Sequence, residues 1–233
     1  MAQYTAIVLA GGSGSRMHSG VPKQWLPLLG RPLIFYTLFA FEKSPVDQVV
    51  LICRPGEEEL CKKQLVEPYG FSKITDIVAG GDERYQSVEN ALPYVKGDYI
   101  LVHDGARALI TEKLIRRCMT SAEVYHAAVC CVPVKDTVKI MTDDGFVAST
   151  PKRSLLRAVQ TPQSFETHLL QQAYEKRRAA GEDDVTDDSM VVERMMDVPV
   201  RLIDGDYENL KITTPEDLIT AEEILRKRGW EPA

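Results

Sequence analysis

Hydrophobic positions along this chain fall into short unbroken runs separated by longer stretches of helical spacing. The first run, Ala6-Ile-Val-Leu-Ala10, has no polar interruption, the pattern of a strand buried on both faces of a parallel sheet. β-Rich runs recur at 48–53, 74–78, 99–103, 127–134 and 200–203, and several of the stretches between them carry helix caps. This alternation predicts an α/β fold, a Rossmann-like, mostly parallel sheet sandwiched by helices.

Two helix starts are written in capping chemistry. Asp82 is expected to cap a helix running through Arg84 and Ser87, while Thr214-Pro215-Glu216-Asp217 sets a capping hydroxyl, a first-turn proline and an acidic residue in order. The last helix is predicted over 215–228, with basic residues in its final turn and Gly229 beyond it. Residues 137–150 break the alternation. Two β-prone stretches flank Asp144-Gly145, a hairpin turn signal, so a projecting β-hairpin is expected. Residues 179–185 read as a surface loop, and without a repeat, low-complexity tract or linker the chain 1–233 reads as one domain.

Composition narrows the possible partners. At 233 residues and 44% hydrophobic, the chain can bury a full core without staples. A formal net charge of −6 argues against a protein that coats nucleic acid or an anionic membrane. Cys53, Cys61, Cys118, Cys130 and Cys131 are odd in number and lack C-x-x-C spacing, so they are expected to be reduced, small hydrophobes in a cytoplasmic protein. No apolar run nears the roughly 20 residues of a membrane span, and no signal-peptide pattern opens the chain.

The strongest chemical signal is Leu9-Ala10-Gly11-Gly12-Ser13-Gly14-Ser15-Arg16-Met17, followed by Pro22-Lys23-Gln24. Glycines after a buried strand let backbone amides approach a polyphosphate, and Arg16 and Lys23 add full positive charges nearby. No Gly-Lys-Ser/Thr closes the turn and Met17 stands where a dinucleotide fingerprint has its third glycine, so ATPase and dehydrogenase readings lose ground. Asp104 follows the predicted strand 99–103, at the carboxyl edge where open α/β sheets bind ligands. The neighbouring His103 is expected to be structural.

Ala10-Gly-Gly-Ser-Gly-Ser-Arg16-Met with Pro22-Lys-Gln24 resembles the signature of sugar-phosphate nucleotidyltransferases. Further motifs follow in order: Ala79-Gly-Gly-Asp-Glu-Arg84 with Ser87, Val102-His-Asp-Gly-Ala-Arg107, Val132-Pro-Val-Lys-Asp-Thr137, Ala158-Val-Gln-Thr-Pro-Gln163 and Asn209-Leu-Lys-Ile-Thr-Thr-Pro-Glu-Asp217. Together they resemble the 2-C-methyl-D-erythritol 4-phosphate cytidylyltransferase family of the non-mevalonate isoprenoid pathway, over roughly residues 5 to 225. The resemblance implies a GT-A-like nucleotidyltransferase fold. CTP would be bound by Ala10, Gly11, Gly12, Gly14, Gly81, Asp82 and Ser87, and the acceptor by Asp104, Arg107, Thr137, Arg153 and Lys211. It also implies catalytic roles for Arg16, Lys23, Arg153 and Lys211, a Mg²⁺ cofactor, and a homodimer in which the arm 137–155 crosses to the partner subunit. Asp104 could contact the metal or an acceptor hydroxyl. One departure is Ala108, where the family often has proline.

The expected reaction is in-line attack of the acceptor phosphate on the α-phosphorus of CTP. Arg16 and Lys23 would bear on transition-state charge, and Arg153 and Lys211 on the acceptor phosphate. A ribitol or other pentitol phosphate cytidylyltransferase is the nearest alternative, and the run from Thr150 to Gln163 resembles the methylerythritol enzymes more closely. A glycosyltransferase would carry an Asp-x-Asp motif that His103-Asp104-Gly105-Ala106 lacks, and a non-catalytic nucleotide-binding protein would need neither cation pair.

Overall fold

A computed structural model of the full chain describes residues 2–12 and 21–233. Strands β1 (Tyr4–Leu9), β2 (Gln48–Cys53), β3 (Ile74–Ala79), β4 (Tyr99–Asp104), β5 (Ala127–Pro133), β8 (Arg157–Glu166) and β9 (Arg201–Asp204) form one sheet. Its spatial order is β9-β5-β8-β4-β1-β2-β3. The two remaining labelled strands, β6 (Ile140–Met141) and β7 (Val147–Ser149), form a separate hairpin. All sheet pairings are parallel except those of β8, which runs against both β4 and β5.

Strand side chains alternate between two apolar layers, as the pleat requires. Tyr4, Ala6 and Val8 of β1 and Val49 and Leu51 of β2 join one core, with Phe41 of α1 (Leu33–Lys43), Ile115 of α3 (Glu112–Tyr125) and Leu225 of α6 (Pro215–Lys227). Ile7, Val50 and Ile52 point to the other, with Val88 of α2 (Arg84–Ala91), Leu170 of α4 (Thr167–Ala180) and Val191 of α5 (Asp188–Met195). The helix sandwich expected from the sequence is present, and each of the six predicted strands forms within a residue or two of its expected bounds.

Three local expectations meet different outcomes. At α2 the cap is Glu83, whose side chain pairs reciprocally with Gln86 in a capping box, so the assignment of Asp82 as cap is corrected: Asp82 lies one residue before the cap. At α6 the expected start forms, with Asp217 accepting from the backbone amides of Thr213 and Thr214 at 2.8 and 3.0 Å. The 137–150 hairpin also forms, turning through Gly145 at φ +90°, where a side chain would be strained. Within the predicted surface loop, α4 continues to Ala180 and ends at Gly181 in the left-handed conformation. All five cysteines are free and buried, and no helix among the described residues is long and apolar enough to cross a membrane.

Candidate active site

Parallel pairing sets the carboxyl ends of β1, β2 and β4 level, with Leu9 opposite both Ile52 and Asp104. There the chain leaves the sheet in turns, and a cleft of about 520 Å³ opens between them. Ala10, Gly11, Gly12, Lys23, Gly81, Asp82, Ser87, Asp104 and Lys211, all singled out in the sequence, line it. Gly14 and Arg16 lie outside the described residues. Arg107, Thr137 and Arg153 are not among the residues that line the cleft.

Close packing of the turns requires glycine at positions 11 and 81. A Cβ on Gly11 would stand 3.1 Å from the Cys53 carbonyl oxygen, and one on Gly81 would overlap the Gln86 side chain. The Gly80 amide donates to that same Cys53 carbonyl at 2.8 Å. Gly81 donates to Ser87 Oγ at 3.0 Å, and Ser87 Oγ donates to the Glu83 carbonyl at 3.3 Å. The Ser87 hydroxyl therefore braces the 80–83 turn, in a position the sequence reading gave to nucleoside contact alone.

Asp104 is 9% exposed at the end of β4 and lies between two cations. Lys211 Nζ is 2.7 Å from its Oδ2 and Arg84 Nε is 3.3 Å from its Oδ1. Burial by itself would raise the carboxyl's pKa, but Arg84 and then Lys211 outweigh it and hold the group well below the usual carboxylate range. The Asp104 amide donates to Thr161 Oγ1 at 3.0 Å. The Arg107 carbonyl can only accept, so His103 Nε2–H donates to it at 3.3 Å, and in the neutral ring Nδ1 is left to accept from the Thr161 hydroxyl at 3.1 Å. His103 has no exposure, packs edge-on against Phe41, and is pushed down by burial to a pKa of about 4. It is a neutral structural residue, as expected.

Lys211 is delivered by a segment tied to the Asp104 turn. The Ile212 amide donates to the Ala106 carbonyl at 2.9 Å, and Arg107 Nη1 donates to the Asn209 carbonyl at 2.8 Å. Arg107, expected at the acceptor, thus holds the strap that presents Lys211. Thr137 and Arg153 are exposed at the base of the hairpin, where Arg153 Nη1 donates to the Lys135 carbonyl at 3.1 Å. The sequence reading assigned no role to Arg84, Arg54 or Thr161. Arg84 and Arg54 line the cleft. Their signal was position: Arg54 directly follows β2 and Arg84 opens the first helix after β3.

Glycine-lined turns at the carboxyl edge of a mostly parallel sheet, with several cations around one carboxylate, define an α/β nucleotidyltransferase of the kind that joins two anionic substrates. Comparison with known proteins fixes the family. Residues 4–227 match the family model of IspD, 2-C-methyl-D-erythritol 4-phosphate cytidylyltransferase. A protein of that name from Lachnoclostridium phytofermentans is 46% identical over 228 residues, spanning 97% of this chain and 98% of the relative. One from Alkaliphilus oremlandii is 42% identical over 231 residues, spanning 98% and 97%. The solved 4-diphosphocytidyl-2C-methyl-D-erythritol synthase of Anaerococcus prevotii superposes with a TM-score of 0.85 at 32% identity, over 97% of this chain and 96% of that one. The 2-C-methyl-D-erythritol 4-phosphate cytidylyltransferase of Thermus thermophilus gives 0.80 at 31%, over 96% and 99%. This chain belongs to the 2-C-methyl-D-erythritol 4-phosphate cytidylyltransferase family.

Proposed function

We propose that the chain transfers a cytidylyl group from CTP to 2-C-methyl-D-erythritol 4-phosphate, giving 4-diphosphocytidyl-2-C-methyl-D-erythritol and pyrophosphate in the non-mevalonate isoprenoid pathway of the cytoplasm. The observation that carries this reading is the cleft itself, where the glycine turns, Lys23 and the Lys211–Asp104 pair meet. The relatives reported above take their names from the methylerythritol acceptor, which favours it over ribitol phosphate.

A phosphate monoester carries nearly two negative charges near neutrality, its second pKa being about 6, so the attacking oxygen needs no general base. The task is to hold two anions in line and to stabilise charge at the α-phosphate. The turn at Ala10, Gly11, Gly12 and Gly14 wraps the CTP phosphates, and Arg16 and Lys23 offset the transition-state charge. Gly81, Asp82 and Ser87 bound the nucleoside. Asp104, Arg107 and Lys211 serve the acceptor, Arg107 by holding the strap that carries Lys211. Lys211 is paired with Asp104, so an acceptor phosphate competes with that carboxylate for the lysine.

Magnesium fits this donor set only in company with the nucleotide. Among the described residues no group of three or more His, Cys, Asp or Glu side chains could hold a metal. Asp104 offers one hard carboxylate, the number Mg²⁺ commonly takes from protein when phosphates and waters complete its shell. When bound, Mg²⁺ supplies charge neutralisation of the phosphates.

The hairpin supports assembly as a homodimer. Phe146 is 71% exposed and Met141 69%, with Ile140 and Val147 beside them, and a lone two-stranded hairpin is marginal in water. A partner subunit would cover these side chains and receive Thr137 and Arg153 at its acceptor site, the arm being exchanged symmetrically. Two experiments test the reading. Purified protein given CTP, Mg²⁺ and either methylerythritol phosphate or ribitol phosphate should yield the cytidylylated methylerythritol product by mass; turnover of ribitol phosphate alone would overturn the acceptor. Mixed Arg153→Ala and Lys23→Ala subunits should regain activity on exchange, and exchanged but inactive dimers would refute a shared site.

A further inference from the structure

Arg84, the first residue of α2, is held on two edges. Its Nε lies 3.3 Å from Asp104 Oδ1 and its Nη2 donates to Asp188 Oδ2 at 2.7 Å. Asp188, with no exposure at the start of α5, accepts on its other oxygen from the Tyr174 hydroxyl at 2.7 Å, and Tyr174 is itself 2% exposed. The third edge is different. Arg84 lines the cleft, its side chain keeps 26% of its surface, and Nη1 has no partner among the described residues and is not sealed from solvent.

Two other arginines, Arg107 and Arg177, show what a structural guanidinium looks like here. Arg107 Nη1 and Nη2 both point to backbone carbonyls, at Asn209 and Val159, and Arg177 is spent on Glu89, Asp183 and the Glu182 carbonyl. Of these three, only Arg84 lines the cleft, and its Nη1 is left unspent. Lysine stems can swing, whereas a planar guanidinium bonded on two edges has its remaining donors aimed in advance. Donors fixed before the reaction do not reorganise during it, the condition under which they best stabilise developing charge.

We propose that Arg84 is a catalytic residue of the transfer, its Nη1 donating to a non-bridging oxygen of the nucleotide's reacting phosphate, with Asp188 and Tyr174 as the positioning residues that clamp it. The proposal rests on the cytidylyl transfer proposed above. In that step an acceptor phosphate oxygen bonds to the α-phosphorus while the bond from that phosphorus to the bridging oxygen breaks, and pyrophosphate leaves with the electron pair. Arg84 transfers no proton and only hydrogen-bonds to the charge that builds between.

The test compares wild type, Arg84→Ala, Arg84→Lys, Asp188→Asn and the Arg84→Ala/Asp188→Asn double variant in steady-state turnover of CTP and methylerythritol phosphate. Arg84→Ala should lose about 10²-fold in kcat, the usual cost of one preorganised donor, while KM for CTP moves less than about threefold. Arg84→Lys keeps the charge without the fork and should lose at least about tenfold in kcat. Methylguanidinium in the assay should restore part of the Arg84→Ala turnover and none in the double variant, because Asp188 is what seats the guanidinium. Asp188→Asn should cost kcat in the wild-type background and little in Arg84→Ala, the non-additivity of residues acting as one unit. A purely structural role would show no such rescue of kcat. The proposal is overturned if Arg84→Lys, which keeps a cation and decides alone should Arg84→Ala not fold, retains kcat within about threefold, or if the loss falls wholly on KM for CTP. Absence of product from wild type would sink the reaction itself, whereas wild-type turnover with unaffected variants sinks only the role of Arg84.

Discussion

Replacing His103 by glutamine should change how stability depends on acidity. His103 is fully buried, accepts from Thr161 at Nδ1 and donates to the Arg107 carbonyl at Nε2, and burial lowers its pKa from 6.5 to about 4. The unfolded chain therefore binds a proton at this residue between roughly pH 6.5 and 4 that the folded chain refuses. The stabilising contribution is fully present above pH 6.5, and it is lost as pH falls through the folded value. A separation of about 2.5 units at about 1.4 kcal/mol per unit amounts to about 3 kcal/mol, undiminished by solvent screening because the ring has no exposure. Glutamine can keep the donor to the Arg107 carbonyl and does not titrate. Urea unfolding of both proteins at one fixed protein concentration from pH 7.5 to 4 would measure the effect. The stability of wild type relative to His103→Gln should fall by about 3 kcal/mol across that range. Parallel curves would show that the ring is not held neutral by burial and would refute the argument.

Gly105→Ala should destabilise the fold by about 1–3 kcal/mol and lower turnover, since overpacking here reaches backbone. Its Cβ would stand 2.6 Å from Ile34 Cδ1, which can rotate, and 2.9 Å from the Leu9 carbonyl, which already accepts from the Gly105 amide at 2.8 Å. Gly12→Ala, with nothing among the described residues within 4 Å of the new atom, should leave stability within about 0.5 kcal/mol, a contrast that thermal unfolding would register. Arg16→Ala and Lys23→Ala should each lower kcat by about 10²–10³ with circular dichroism unchanged, and near-normal turnover of either would remove it from the transition state.

Strand β2 was legible to the residue because all six of its side chains are buried, so its apolar run has no interruption. Strand β8 was not. Gln160, Thr161, Gln163 and Ser164 are buried there without an apolar signature, and side chains of Gln160, Thr161 and Gln163 bond partners as far off as Asp206, Asp104 and Asp187. Its polarity is matched by contacts that exist only after folding. The Asp82 cap failed because a local competitor, Glu83 with Gln86, makes the reciprocal pair. The glycine turns and Asp104 could be placed because each stands at or just after a strand end, and Lys23 and Lys211 through the family motifs that carry them. Arg84 and Asp188 could not be paired in advance, since 104 residues separate them and only the sheet order brings α2 beside α5.

The carbonyl of Cys53 serves two turns at once, accepting from Gly80 and standing against Gly11. The distance between the turn assigned to the phosphates and the turn assigned to the nucleoside is therefore set by one peptide group of the strand next to the sheet edge. Side chains around the pocket can diverge while this spacing stays constant, so redesign toward a bulkier base would have to move the end of β2 itself. A change there displaces both turns together. Within this scaffold nucleotide size is a property of the sheet, and nucleotide identity a property of the loops.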